Sequence, residues 1–257
     1  MAADYIGVLQ VKIYSLTYEG TLNYIKSLIL DNKKSYICTA PVHLVMECQK
    51  SQKLLKGVNK AALVTPDGMP LVWLLKLYGK KAERVYGPTL MLKTCKMAQD
   101  KGYKIYLLGG IKGLSGRLRQ KLKESFPGIE IVGNKDTPIR PVPRRETKRL
   151  IKKINKSHAQ IVFVGMGCPY QEMWMIENRN KLNANILVGV GAAFDFMSGR
   201  VRPAPTWMQG IGLEWLFRLS QDPKRLWRRY TITNFLFLYK IFSQINKDFL
   251  FKGKFLR

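Results

Sequence analysis

The chain has 257 residues, 46% of them hydrophobic, enough for one large α/β domain or two small ones with a core that needs no covalent staples. Its 44 Lys and Arg against 17 Asp and Glu give a formal charge of +27, which suits nucleic-acid backbone, anionic headgroups or a phosphorylated substrate and does not choose among them. Cys38, Cys48, Cys95 and Cys168 make no CxxC pair and the only histidines are His43 and His158, which argues against a disulfide framework or a structural zinc site. The start MAADYIGVLQ lacks the pattern of a signal peptide, and no apolar run reaches bilayer-spanning length, so a cytosolic chain is expected.

In chain order, Ile6 to Leu16 reads as one alternating strand, and Thr17 caps a helical pattern running through Tyr18, Leu22, Ile25 and Leu28 to Leu30. Tyr36 to Thr39 is a short buried strand, followed after Pro41 by a helix holding Leu44, Val45 and Cys48. A strand at Ala61 to Thr65 runs into the turn Pro66, Asp67, Gly68 and a helix from Pro70 to Tyr78. A helix from Thr89 to Lys101 precedes the strand Lys104 to Leu108, which ends at Gly109 and Gly110. Strands at Ile129 to Gly133, Ile161 to Val164 and Ile186 to Val190 continue the alternation, and a basic, proline-rich loop from Lys135 leads into a helix at Glu146 to Ile154. Short apolar strands separated by helices predict an α/β fold: a mainly parallel, Rossmann-like sheet with helices on both faces. After Gly212 the alternation stops and the chain turns basic and aromatic, which divides it into a core over 1–212 and a helical appendage over 213–257.

Ligands of open parallel sheets collect at the carboxyl ends of the strands. Here those ends carry Thr39, TPDG at 65–68, LLGG at 107–110, VGMGCPYQE at 164–172 and GVGAAFDF at 189–196. Glycines let a ligand approach the backbone, and helix starts attract phosphate. No GxGxxG or GxxxxGK[ST] is present, so neither a dinucleotide fold nor a P-loop is supported. Asp67 sits where its carboxylate can face the crevice and take a proton from a bound hydroxyl. The alternative is that it caps the helix behind it, as most aspartates in that position do.

The chain resembles the bacterial WecG/TagA/CpsF glycosyltransferases from about Ile6 to about Tyr230. The resemblance is carried by PDG at 66–68, ERVYG at 83–87, KIYLLGG at 104–110 and PYQEMW at 169–174. Its most specific parts are GVGAAFDFMSGRVRPAP at 189–205 and GLEWLFRLSQDPKRLWRR at 212–229. It implies transfer of a sugar from a nucleotide-diphosphate donor, a UDP-sugar, onto a polyprenyl-diphosphate-linked acceptor, with Asp67 as catalytic base. By motif match it also implies site roles for Arg84 and Gln171, each of which could instead brace a loop. The family commonly has Thr-x-Asn after the second strand, whereas Thr39, Ala40 and Pro41 stand here. Thr39 can still bond substrate, Pro41 cannot replace an asparagine, and His43 either fills the gap or is structural.

A departing diphosphate must be met by a metal or by fixed cations. With no Asp-x-Asp in the chain, the expected compensation is by side chains and helix dipoles, without cofactor or metal. Residues 218–257 hold ten Lys and Arg against Asp222 and Asp248. The resemblance implies that Arg218, Arg225 and Arg228 close over the site from the appendage, and their spacing puts them on one side of a helix if Asp222-Pro223 does not break it. Asp195 is a further candidate, for ribose or uracil, with a turn or cap role as its alternative. Gly109 and Gly110 are candidate diphosphate contacts, while Glu214 and Trp215 read as packing and ion-pair residues.

Beyond Tyr230, the residues Phe235, Leu238, Tyr239, Phe242 and Ile245 recur at helical spacing, widened by Leu236, Phe237 and Ile241. Flanked by cations, this stripe suits a helix lying on an anionic membrane surface, peripheral on the inner face of the cytoplasmic membrane. A docked core helix or a homo-oligomer contact is the alternative. Two rivals to the enzyme remain. One is a basic nucleic-acid-binding α/β protein, which lacks an aromatic RNP sequence and is not favoured; the other is an inactive membrane scaffold.

Overall fold

The computed structural model describes residues 4–254, with the side chains of Arg225, Arg229 and 249–254 outside that description. The chain opens with a hairpin, β1 (Tyr5–Val8) and β2 (Val11–Tyr14), where one strand was expected. Leu9 and Gln10 both take positive φ, 46° and 69°, the geometry of a two-residue turn between twisted antiparallel strands. Ile6 and Val8 are buried and so are Val11 and Ile13, so the inward parity changes across the turn.

After the hairpin come α1 (Tyr18–Leu30), β3 (Ser35–Ala40), α2 (Val42–Lys50), α3 (Gln52–Val58), β4 (Leu63–Pro66), α4 (Met69–Leu77) and α5 (Gly87–Lys101). Then follow β5 (Ile105–Gly109), α6 (Leu114–Ser125), β6 (Ile131–Lys135), α7 (Arg144–Lys156), β7 (Ile161–Gly165), α8 (Tyr170–Asn178), β8 (Ile186–Gly189) and the short α9 (Ala193–Met197). As the sequence indicated, Thr17 caps α1 by accepting the Gly20 N–H at 3.1 Å. The helices α3, α6, α8 and α9 were not anticipated.

Six strands form one parallel sheet in the order β4-β3-β8-β7-β5-β6. Both faces are covered, as the β7 run IVFVG shows: Val162 and Val164 enter the core layer shared with α2 and α8, and Ile161 and Phe163 the layer shared with α5 and α6. Such double burial is why these strands read as continuous apolar runs.

The remaining helices are α10 (Thr206–Gly210), α11 (Glu214–Gln221), α12 (Pro223–Tyr230) and α13 (Ile232–Lys254). Pro223 opens α12 because a first-turn position needs no N–H donor, and the same residue ends continuity with α11. The helix α13 lies against the core through buried Phe237 and Ile241. The Gln244 side chain anchors it to the hairpin, donating to the Gly7 carbonyl at 2.7 Å and accepting the Leu9 N–H at 2.9 Å. Tyr78 donates to Asp248 on the same helix. The predicted stripe is therefore split. Ile245 turns toward the core beside Phe237 and Ile241, while Phe235, Leu238, Tyr239 and Phe242 are 60–72% exposed. Among the described residues no helix is long and apolar enough to cross a membrane.

Candidate functional site

The site is built from the β3 and β4 ends. The backbone N–H of Asp67 donates to the Ala40 carbonyl at 3.0 Å, extending the strand pairing by one residue and fixing the turn. The Asp67 side chain does not cap α4, whose cap position is Gly68 without a side-chain bond. One carboxylate oxygen instead accepts the N–H of Gly87 at 2.7 Å, at the first residue of α5, where the helix dipole favours negative charge. Gly87 suits this close packing: a Cβ there would stand 3.0 Å from the Val190 carbonyl oxygen and 3.2 Å from the Thr39 hydroxyl, so those neighbours would have to give by a few tenths of an ångström.

Arg84 braces this turn. Its Nε donates to the Asp67 carbonyl at 2.6 Å, its Nη2 meets Glu214 of α11 at 2.5 Å, and its guanidinium lies 4.2 Å over the Tyr86 ring. The Tyr86 hydroxyl donates to the same Glu214 at 2.9 Å. Burial pushes the Asp67 carboxyl above its ordinary range, opposed by the Arg84 charge and the Gly87 N–H, and reinforced by Glu214. Burial and the nearby Glu214 and Asp67 hold the Tyr86 phenol far above its usual value, so it stays a donor.

Two cavities meet at this turn, and Pro41, Asp67 and Arg218 line both. The first, about 770 Å³ of open space, lies over the ends of β3, β4, β7 and β8 and is walled by Thr39, Gly165, Gly167, Gly191, Asp195 and Arg140. The second, about 650 Å³, lies between the core and the appendage and is walled by His43, Met69, Pro70, Trp215, Tyr230 and Asn234. Arg218 reaches the border from α11, its guanidinium 5.5 Å over the Phe196 ring and electrostatically coupled to Tyr230, Glu214, Tyr86 and Asp67.

The structure brings most of the predicted residues together and gives several a different task. Thr39 is buried and donates to the Gly189 carbonyl at 2.8 Å, which joins β3 to β8 beneath the first cavity. Gln171 is also buried; it accepts the Gly191 N–H at 3.0 Å and donates to Glu172 at 2.7 Å, bracing the glycine loop. Asp195 faces the first cavity and pairs with Arg200 at 2.7 Å. His43 lines the second cavity, 3.9 Å from Glu47.

Other expectations need correction. Gly109 and Gly110 line neither cavity. Gly109 has φ 141° and packs so closely on β7 that a Cβ would come within 2.5 Å of the Gly165 carbonyl, and the Gly110 N–H donates to that carbonyl at 3.1 Å. Arg218 and Arg228 share no helix face, because Pro223 separates their helices. Arg228 is exposed, 5.3 Å from the Trp227 ring, and lines neither cavity. The Arg225 side chain lies outside the described residues. Sequence reasoning passed over Tyr86, Gly87 and Arg140, and discounted Trp215. The ERVYG stretch running into Pro88 was the available signal for the first two. Among the described residues no three His, Cys, Asp or Glu side chains gather as a metal-ligand set.

Comparison with known proteins gives the family. Residues 6–249 match the family described as glycosyl transferase WecG/TagA/CpsF. The chain is 30% identical over 210 residues to the N-acetylglucosaminyldiphosphoundecaprenol N-acetyl-beta-D-mannosaminyltransferase of Bacillus spizizenii, covering 81% of this chain and 79% of that protein. The identically named proteins of Bacillus subtilis strain 168 and Staphylococcus aureus strain MW2 are 26% and 28% identical, over 81% and 80% of this chain and 80% and 79% of theirs. The chain belongs to the WecG/TagA/CpsF family and is a glycosyltransferase.

Proposed function

We propose that this glycosyltransferase moves a sugar, with inversion, from a uridine-diphosphate donor to a saccharide carried on a polyprenyl diphosphate, at a membrane surface. The observation that carries the reading is the position of Asp67: a half-buried carboxylate at the border of two cavities, with one oxygen held by the Gly87 N–H. The relatives' names supply the acceptor type and suggest N-acetylmannosamine as the sugar, with cell-surface polysaccharide as the product class. Pro41, where the family carries asparagine, keeps glucose and related hexoses in the donor set to be tested.

In the proposed mechanism, Asp67 takes the proton of an acceptor hydroxyl as its oxygen attacks the anomeric carbon from the face opposite the diphosphate. The bond from that carbon to the diphosphate oxygen breaks. The released charge is met by Arg218 and by backbone N–H groups of the loops around Gly167 and Gly191. The raised pKa of Asp67 suits a base, since a carboxylate unstabilised by water gains more by taking a proton.

A panel of uridine-diphosphate sugars, each offered with N-acetylglucosamine on a polyprenyl diphosphate, tests the reading. One donor should give an elongated lipid-linked saccharide with inverted anomeric configuration. Retention of configuration, or no product from any donor, would contradict it. The acid limb of kcat should lie above the ordinary carboxylate range, near 4, because Asp67 must be deprotonated to act.

A further inference from the structure

We infer that a third cavity, between α7 and α8, binds a phosphate ester of an apolar body, and that its occupant opposes donor binding in the first cavity through Arg140, which lines both. The site stands without the transferase reading; its link to the donor rests on it.

The cavity, about 1170 Å³ of open space, is made by two helix faces that the core leaves uncovered. On α7, Leu150 and Ile154 dock into the core. The face beside them, Arg144, Thr147, Lys148 and Ile151, recurs at one-turn spacing and lines the cavity instead. On α8, Tyr170, Met173 and Trp174 repeat that spacing along the other wall. Met166, just past β7 and 1% exposed, completes the apolar part of the lining. Arg144, Lys148 and Lys181 are exposed at its edge. Glu177, the acid in this lining, is paired with Lys53.

These charges call for an anion. Arg144 opens α7 and Lys148 stands one turn in, so both oppose the positive end of the helix dipole, with Glu146 as the first-turn acid. A phosphate among them would meet the cations and the helix start together. Trp174 is a second, independent sign. It is 5% exposed, and its indole N–H has no acceptor among the described residues, a cost that a ligand oxygen reaching it would remove. Two methionines and an indole suit an apolar body, which inorganic phosphate would leave unmet.

Arg140 joins this cavity to the first. Its Nε donates to the Thr137 carbonyl at 3.4 Å, and its Nη1 lies 3.6 Å from where a Cβ on Gly167, in the wall of the first cavity, would stand. Two anions facing one guanidinium repel each other and divide its attraction, so each weakens the other. The rival occupant is the donor's own base. In that case the edge cations would serve uridine diphosphate directly.

Titration calorimetry on the full chain decides, with four probes: phenyl phosphate, dihexanoyl phosphatidic acid below its micelle concentration, dihexanoyl phosphatidylcholine and inorganic phosphate. One of the first two should bind about tenfold or more tighter than either of the others. Tighter phosphatidic acid names a lipid headgroup as the source, and tighter phenyl phosphate a soluble ester. Arg144→Glu combined with Lys148→Glu should weaken that binding about tenfold or more, while affinity for uridine diphosphate, with no ester present, stays within about twofold. Saturating ester should weaken uridine diphosphate binding to the parent about fivefold and no further. Equal binding of the four probes, or ester binding untouched by the double substitution, would overturn the site. Loss of uridine diphosphate affinity in the double variant, or a weakening that grows without limit as ester is added, would make the cavity part of the donor site and overturn it equally. An unchanged affinity for uridine diphosphate at saturating ester would refute the link through Arg140. A parent that binds ester and no uridine diphosphate would instead mark the failure of the donor reading.

Discussion

A single carboxylate sets the terms at the smallest scale. Asp67 is held at a turn, between a helix N-terminus and an arginine, and burial still outweighs both and raises its pKa. This placement costs stability. Where the folded pKa lies above the unfolded one, stability is full below the unfolded value, near 3.9, and is lost as pH climbs to the folded value. Asp67→Asn keeps an oxygen for the Gly87 N–H and removes the charge, so it should melt at a higher temperature than the parent at pH 7. That gain should shrink to nothing at pH 3; a gain independent of pH would contradict its origin in the buried charge. The turn itself was legible from Pro66, Asp67 and Gly68. Its partner was not, because Gly87 lies twenty residues on and only the fold brings α5 to it.

Among the elements, β3, β4, β5, β7 and β8 were readable because they are buried on both faces, and the helices that were anticipated mostly have a cap or proline at the start. The hairpin was misread as one strand although the inward parity breaks between Val8 and Val11, a mark of a two-residue turn lacking the usual glycine or asparagine. The expected arginine face failed at Pro223. Gly109 shows how a glycine at a strand end can serve packing alone: Gly109→Ala should destabilise the fold by about 2 kcal/mol or more, from its φ and the clash with β7. Unfolding in urea with little change in midpoint would count against this. Glu214 carries the opposite lesson, since its partners Arg84 and Tyr86 are distant in the chain and an ion pair was all the sequence offered. Removing its charge in Glu214→Gln should lower kcat about tenfold or more, by loosening α11 and with it Arg218. In an Arg218→Gln background the same change should cost much less. Equal losses in the two backgrounds would mean that Glu214 does not act through Arg218.

For the molecule as a whole, the charge of +27 and the exposed apolar residues of α13 are the two features that motivate the proposed membrane surface. Phe237, Ile241 and Ile245 of the predicted stripe are absorbed by the core; Phe235, Leu236, Leu238, Tyr239 and Phe242 remain outside and are expected to bury in a lipid interface. Co-sedimentation with anionic vesicles should fall about tenfold when Leu238 and Phe242 are both changed to Glu, and should weaken with salt in the parent. Vesicle binding unchanged by the double substitution would remove the membrane from the account. Everything converges on the border that Asp67 shares between two cavities. The most direct measurement is turnover of Asp67→Asn at saturating donor and acceptor, with its affinity for uridine diphosphate measured alongside. A fall in kcat of about a thousandfold, with that affinity kept within about threefold, is the predicted result. Turnover near the parent's would contradict the account.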